Sequence, residues 1–203
     1  MSDDTPDRND AGNPFGGMPL FGDIARMLSQ QGGATWDAAR QLAVSVATDG
    51  AAESNVDPLE RIRLEQLAHI AELHVASVTG LPTTFGASGI SINPVTRGQW
   101  AVTTLDAWRP LLERLAASLT PADEPVATDD PAGFLAPLLR MISPMLLGMT
   151  AGSMVGHLAK QSFGQYDLPI PRTPTDELMV VPANLDEFAS EWSIPSDDLR
   201  LWV

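Results

Sequence analysis

Met141-Ile142-Ser143-Pro144-Met145-Leu146-Leu147-Gly148-Met149-Thr150-Ala151-Gly152-Ser153-Met154-Val155-Gly156 runs without a single charged residue, and its glycines fall at positions 148, 152 and 156. Residues four apart share one face of an α-helix. Three glycines so placed leave a strip without Cβ atoms, against which a second backbone can lie closely. The uncharged run is shorter than the roughly 20 residues that cross a bilayer, and Pro137, Arg140 and Pro144 weigh further against a span. The segment from Phe134 to Phe163 is therefore read as the buried central helix of a mainly α-helical body. Two uses of its glycine face are open: packing within the fold, or docking a partner helix.

Upstream, Asp57-Pro58-Leu59-Glu60 carries a helix start in each residue. A capping carboxylate precedes a proline at the first helical position, and an acid follows in the first turn. The apolar positions Leu59, Ile62, Leu67, Ile70, Leu73 and Val78 predict a helix that Gly80 and Pro82 stop. Earlier, Trp36, Ala39, Ala43, Val46 and Ala47 predict a helix over about 35–48, and Leu20, Phe21, Ile24, Met27 and Leu28 a shorter one that Gly32 and Gly33 end. Residues 1–19, rich in Asp, Asn, Gly and Pro, have too few apolar side chains to offset the entropy of ordering and are read as a flexible acidic tail.

Residues 81–95 read as loop. Thr96 with Gln99 forms a capping box that opens a helix through Trp100, Leu105, Trp108, Leu112 and Leu115, with Pro110 expected to kink or break it. The stretch 120–131, with its prolines and acids, reads as a solvated linker. After Gly164, prolines at 169 and 171 exclude helix. A short strand is expected near 178–181, then a short helix capped by Asn184 with Glu187. A last helix starts at Ser196, its N-cap, with Asp197 and Asp198 favouring the positive end of the dipole. Its apolar face, Leu199, Trp202 and Val203, has only begun at the last residue given, so the domain is expected to continue beyond it. The whole is a body of about six or seven helices over 20–203 with little sheet.

The chain has 203 residues, 12 Lys and Arg against 26 Asp and Glu, and a formal charge of −14. Nucleic-acid binding needs clustered Lys and Arg, and an anionic membrane surface would repel such a chain. There is no cysteine, which excludes thiolate nucleophiles, disulfides and Cys-based zinc sites. That absence fits a reducing cytoplasm, and the acidic start Met1-Ser2-Asp3-Asp4 lacks the basic opening of an export signal. The cytoplasm is the expected compartment.

His69-Ile70-Ala71-Glu72-Leu73-His74 is the only cluster with the look of a metal site. On a helix His69 and Glu72 lie about 60° apart, but His74 is about 140° from His69, so the two histidines do not serve one ion. Zinc motifs on helices place their histidines four apart. His157, beside Gly156, is expected to pack against a neighbouring helix. The Gly86-Ala87-Ser88-Gly89 turn has no partner base. His69, Glu72, His74 and His157 are all rejected as ligands, and no catalytic or metal residue is assigned.

Several stretches together carry a resemblance. They are Ala71-Glu72-Leu73-His74-Val75-Ala76 with Thr79-Gly80-Leu81-Pro82, Gly152-Ser153-Met154-Val155-Gly156-His157-Leu158, Val180-Val181-Pro182-Ala183-Asn184, and Leu199-Arg200-Leu201-Trp202-Val203. The most specific is Gly164-Gln165-Tyr166-Asp167-Leu168-Pro169-Ile170-Pro171-Arg172. From about residue 20 on, the chain resembles the zincin-like zinc-dependent metalloproteases and hydrolases of actinobacterial type, some branches of which are labelled as associated with deazaflavin cofactor biosynthesis. The resemblance implies that the last helix leads into a His-Glu-x-x-His motif. On that reading 1–203 is the N-terminal scaffold of a metallohydrolase. Zinc, the general base and the peptide or protein substrate would then belong with a C-terminal catalytic half, and no cofactor is expected in this chain. Gly164, Gln165, Tyr166, Asp167, Pro169 and Pro171 are expected to be structural. The alternative is a non-enzymatic helical protein that docks a partner through Gly148, Gly152 and Gly156.

Overall fold

The computed structural model describes residues 32–81, 91–119, 131–168, 172 and 174–203. The expected tail, the helix over Leu20–Leu28, the Gly86–Gly89 turn, residues 120–130 of the linker, and Pro169 and Pro171 lie outside them. Among the described residues the elements are α1 (Gly32–Ala47), α2 (Pro58–Thr79), β1 (Ser91–Pro94), α3 (Arg97–Leu119), α4 (Pro131–Ala159), β2 (Glu177–Val180), α5 (Pro182–Trp192) and α6 (Ser196–Trp202). The fold is mainly α, as expected, but Gly32 opens a helix instead of ending one.

The glycine strip of α4 is packed within the fold. A Cβ at Gly152 would stand 2.4 Å from the Ala39 carbonyl oxygen, and one at Gly156 would stand 2.7 Å from the Ala43 oxygen. At Gly148 the nearest atom, a Thr35 methyl, is an ordinary 3.6 Å away. Thr35, Ala39, Ala43 and Ala47 also recur every four residues, so α1 presents small side chains where α4 presents none, and the two backbones close on each other. The face proposed for a partner is filled by the chain's own α1. The opposite side of α4 departs from the buried reading: Met145, Leu146, Met149 and Met154 are exposed.

Helix α3 completes this layer with Trp100, Leu105 and Trp108, all buried against α1 and α4. Asp106 reaches α1, accepting from Trp36 Nε1 at 3.2 Å and Arg40 Nε at 2.9 Å. Pro110 does not break α3. Buried Leu105 and Trp108 before it and Leu112 after it are all held in one core, and this packing outweighs a missing backbone hydrogen bond. The start of α3 is the expected capping box, reciprocal at 3.0 and 3.2 Å between Thr96 and Gln99. Glu53, far away in sequence, adds a second cap by accepting from the Arg97 and Gly98 N–H groups.

Helix α2 also starts and stops as read. Asp57 accepts from Leu59 N at 2.9 Å, and Gly80 ends the helix at φ 67, the left-handed region that suits glycine. Its packing differs from expectation. Leu64 is buried, whereas Leu59, Ile62, Ile70, Leu73, Val75 and Val78 are exposed. Apolar residues on both sides of this helix blur its polarity, so the sequence could not show which side meets the core.

The sheet corrects the loop reading of 81–95. Strand β1 pairs in parallel with β2, Ile92 opposite Leu178 and Asn93 opposite Met179. Ser91 N donates to Asp176 O and Val95 N to Val180 O. Alternation therefore turns position 94 away from the ladder, where a proline costs no inward N–H. On the other side of β2, Gly164 forms an antiparallel bridge with Val180, and Val181 N donates to Phe163 O. Ile92 and Val180 join Leu64, Leu185 and Leu199 in a second core cluster under α2, α5 and α6.

Two cap assignments change. Asn184 is not the N-cap of α5, which starts at Pro182. It is buried, and its amide donates to the Ala159 and Ser162 carbonyls at 2.8 and 2.6 Å while its oxygen accepts from Arg97 Nε. These are orphan acceptors at the C-terminal end of α4, so one side chain ties α3, α4 and α5 together. Asn184→Ala is expected to cost about 2–3 kcal/mol, because buried acceptors lose their donor, read as a lowered midpoint in urea denaturation. Likewise, Pro195 occupies the N-cap position of α6, and Ser196 instead donates to Asp186 at 3.0 Å.

Candidate functional site

A cleft of about 480 Å³ opens between α2, the sheet, the turn at 164–167 and the end of α6. Its walls are mostly apolar, with Leu64, Ala68, Val75, Ile92, Leu178 and Leu201 among them. Glu72, Gln165, Tyr166, Asp167 and Arg200 bring polar atoms to it. A concave, largely apolar surface with a few converging polar groups is the usual form of a ligand site.

The turn is built by its own side chains. Asp167 Oδ2 accepts from both Phe163 N and Gly164 N, closing the loop on itself. Gly164 lies against β2 so tightly that a Cβ would stand 2.8 Å from the Met179 oxygen. Its carbonyl accepts from Trp100 Nε1 at 2.9 Å. Gln165 is buried and its side-chain oxygen accepts from Met179 N at 3.1 Å, completing the edge of β2. Gly164, Gln165 and Asp167 thus hold the cleft wall in place. Tyr166 differs: it is 68% exposed and lines the opening.

Arg200 closes the floor. Its side chain is 1% exposed and lies 2.7 Å from Glu60 and 2.9 Å from Asp186. It also donates to the Ser196 carbonyl and hydroxyl. Burial disfavours its charge, but the hydrogen bonds to Asp186 and Glu60 outweigh that cost and hold its pKa above the ordinary guanidinium value. Arg200 therefore clamps α2, α5 and α6 beside the cleft. Nothing local in Leu199-Arg200-Leu201 signals this role, because neighbours on a helix point about 100° apart.

The rejected histidine cluster does not assemble. His69 Nδ1 stands 3.8 Å from Glu72 Oε2, and both His69 and His74 are exposed. His157 is exposed on α4, not packed against a neighbouring helix as expected. Among the described residues no three His, Asp or Glu side chains gather where they could hold one ion. No helix among them is long and apolar enough to cross a membrane.

Comparison with known proteins gives a family. No curated protein matches. A crystal structure of a candidate hydrolase with a novel fold from Chloroflexus aurantiacus superposes with a TM-score of 0.56 at 22% identity. The match covers 82% of this chain and 48% of that one, so this chain spans about half the length of its structural neighbour. At that identity the likeness is one of fold. The match to the zincin-like metallopeptidase family covers residues 35–203, and the chain belongs to that family.

Proposed function

We infer that this chain is the helical, non-catalytic part of a zinc-dependent hydrolase, with peptide hydrolysis as the reaction class and the cleft beside the sheet as one wall of the substrate site. The observation that carries the reading is the family match over 35–203 in a chain whose cleft is already shaped by its own turn, sheet and clamp. The zinc that the family implies does not fit the side chains described. Zinc sites draw three or four His or carboxylate ligands to about 2.0–2.2 Å, and His69, His74 and His157 do not converge. The metal ligands and general base are assigned to polypeptide outside 1–203, and the present residues to support. Gln165, Asp167 and Arg200 fix the wall, and the apolar lining would receive substrate side chains. The cytoplasm is the assigned compartment, in keeping with a cysteine-free chain. The partner-docking alternative loses its basis, because α1 occupies the glycine face.

The test uses the purified chain. Metal analysis after equilibration with zinc is expected to show no one-to-one binding, and denatured casein is expected to stay uncleaved. Casein peptides should nevertheless slow amide hydrogen exchange along Leu178–Val180. Tight zinc lost on His69→Ala or His74→Ala, or no change in exchange at the cleft, would overturn the assignment.

A further inference from the structure

We propose that the outer face of α2 binds a second copy of this chain, the two α2 helices lying antiparallel about a two-fold axis at Gln66. The helix carries two apolar faces. Leu64, Ala68, Ala71 and Val75 meet the second core cluster and the cleft. Leu59, Ile62, Ile70 and Leu73 fall with Gln66 inside an arc of about 80°, centred about 170° away from that inner face. The four apolar side chains of this outer stripe are 42–68% exposed. A contiguous apolar stripe that the described residues leave open marks an interaction surface.

The order of residues in the stripe selects the occupant. Counted from Gln66, leucines stand at −7 and +7 and isoleucines at −4 and +4, so the stripe reads the same from either end. A two-fold contact is self-complementary, residue i meeting j of the other copy while j meets i. Antiparallel pairing about Gln66 therefore sets Leu59 against Leu73 of the second copy and Ile62 against its Ile70, like on like along the whole stripe. The two Gln66 amides meet on the axis, where each can donate to the other, and a polar residue so placed fixes the register. The flank agrees. Antiparallel helices bring matching flanks together, and exposed Glu65 and His69 share one flank of the stripe. Pairing sets His69 of one copy within about 3 Å, along the helix axis, of Glu65 of the other, where an imidazole N–H can donate to a carboxylate. Within its own chain His69 stands 3.8 Å from Glu72, beyond hydrogen-bond reach. Because the stripe faces away from the cleft, the pairing leaves both clefts open. The contact is small and each copy carries a charge of −14, so association is expected to be weak, with a dissociation constant on the order of 10 μM.

The inference concerns association alone and does not rest on the hydrolase reading. Its test is sedimentation equilibrium of the intact chain from about 1 to about 200 μM, a range that brackets the expected constant. The mass is expected to rise from that of one chain toward that of two. Ile62→Glu and Ile70→Lys, each alone, put unpaired charges into the contact and should weaken association about tenfold or more. An equimolar mixture of these two variants should restore it, because the new carboxylate then faces the new ammonium while the other isoleucine pair is kept. A chain that stays monomeric throughout, a dimer that survives both single substitutions, or a mixture no better than its parts would each overturn the proposal. Should either variant fail to fold, amide exchange on the unaltered chain decides the matter: it should slow over Leu59–Leu73 as concentration rises, and no change there would overturn the assignment.

Discussion

Gly152→Ala is expected to destabilise the protein by more than about 3 kcal/mol, whereas Gly148→Ala on the same helix face should stabilise it by up to about 1 kcal/mol. In an isolated helix both changes gain about 1 kcal/mol, because alanine loses less conformational freedom than glycine. Packing reverses the sign at only one of them. A methyl at 152 would enter to 2.4 Å of the Ala39 carbonyl oxygen, a backbone atom that cannot swing aside, while at 148 it would meet only atoms at 3.6 Å and beyond. Overpacking costs typically about 1–3 kcal/mol when side chains can yield, and here the whole of α1 must move. Gly156→Ala should resemble Gly152→Ala, since Ala43 O and Val46 Cβ both stand at 2.7 Å. Urea denaturation of the three variants separates these outcomes. Equal effects at 148 and 152 would mean that α1 does not lie on the glycine strip.

Arg200→Ala is expected to cost about 3–5 kcal/mol, the usual range when one partner of a buried ion pair is removed. Most of the loss belongs to Glu60, whose side chain is 16% exposed and would keep only the longer contact to Arg63 at 4.0 Å. Asp186, at 58%, can turn to water and contributes less. Removing both members tests this directly: Arg200→Met with Glu60→Leu should be less destabilising than Arg200→Met alone. A double variant as weak as the sum of its parts would show that the arginine acts through packing of its stem and not through the pair. Because Arg200 spans α2, α5 and α6, the single variant should also loosen the cleft floor, seen as faster amide exchange in α6.

Local signals in this sequence read well, and long-range ones did not. The Asp57 cap, the Thr96–Gln99 box and the Gly80 stop each depend on residues within a few positions, and all three form as expected. The glycine spacing of 148, 152 and 156 disclosed a close helix contact but not its partner, because α1 shows its matching alanines only once the two are laid together. Strand β1 was invisible: its four residues include a proline, and what makes them a strand is β2, far along the chain. Asn184 and Ser196 carry the chemistry of caps but are bonded to distant groups, and no local pattern distinguishes the two uses. At the site, the turn Gly164-Gln165-Tyr166-Asp167 stood out as a unit, yet sequence could not separate the inward Gln165 from the outward Tyr166.

The small parallel sheet sets an order of events as well as a shape. Asn93 and Glu177, joined across it at 2.8 Å, are 84 residues apart in sequence. Closing a loop that long costs about 4 kcal/mol of chain entropy by the logarithmic rule, before any strand hydrogen bond can form. The contacts of α3 with α4 need much shorter closures and can gather first, which brings the two strand ends near each other. The sheet therefore closes after the contacts of α3 with α4, and the clamp of Arg200 on Glu60, 140 residues apart, costs more chain entropy still. Truncating Ile92 is expected to speed unfolding more than it slows folding, read from the two arms of a urea chevron. The cleft, whose wall and floor are both such late joints, would open while the layer of α3 and α4 stays closed.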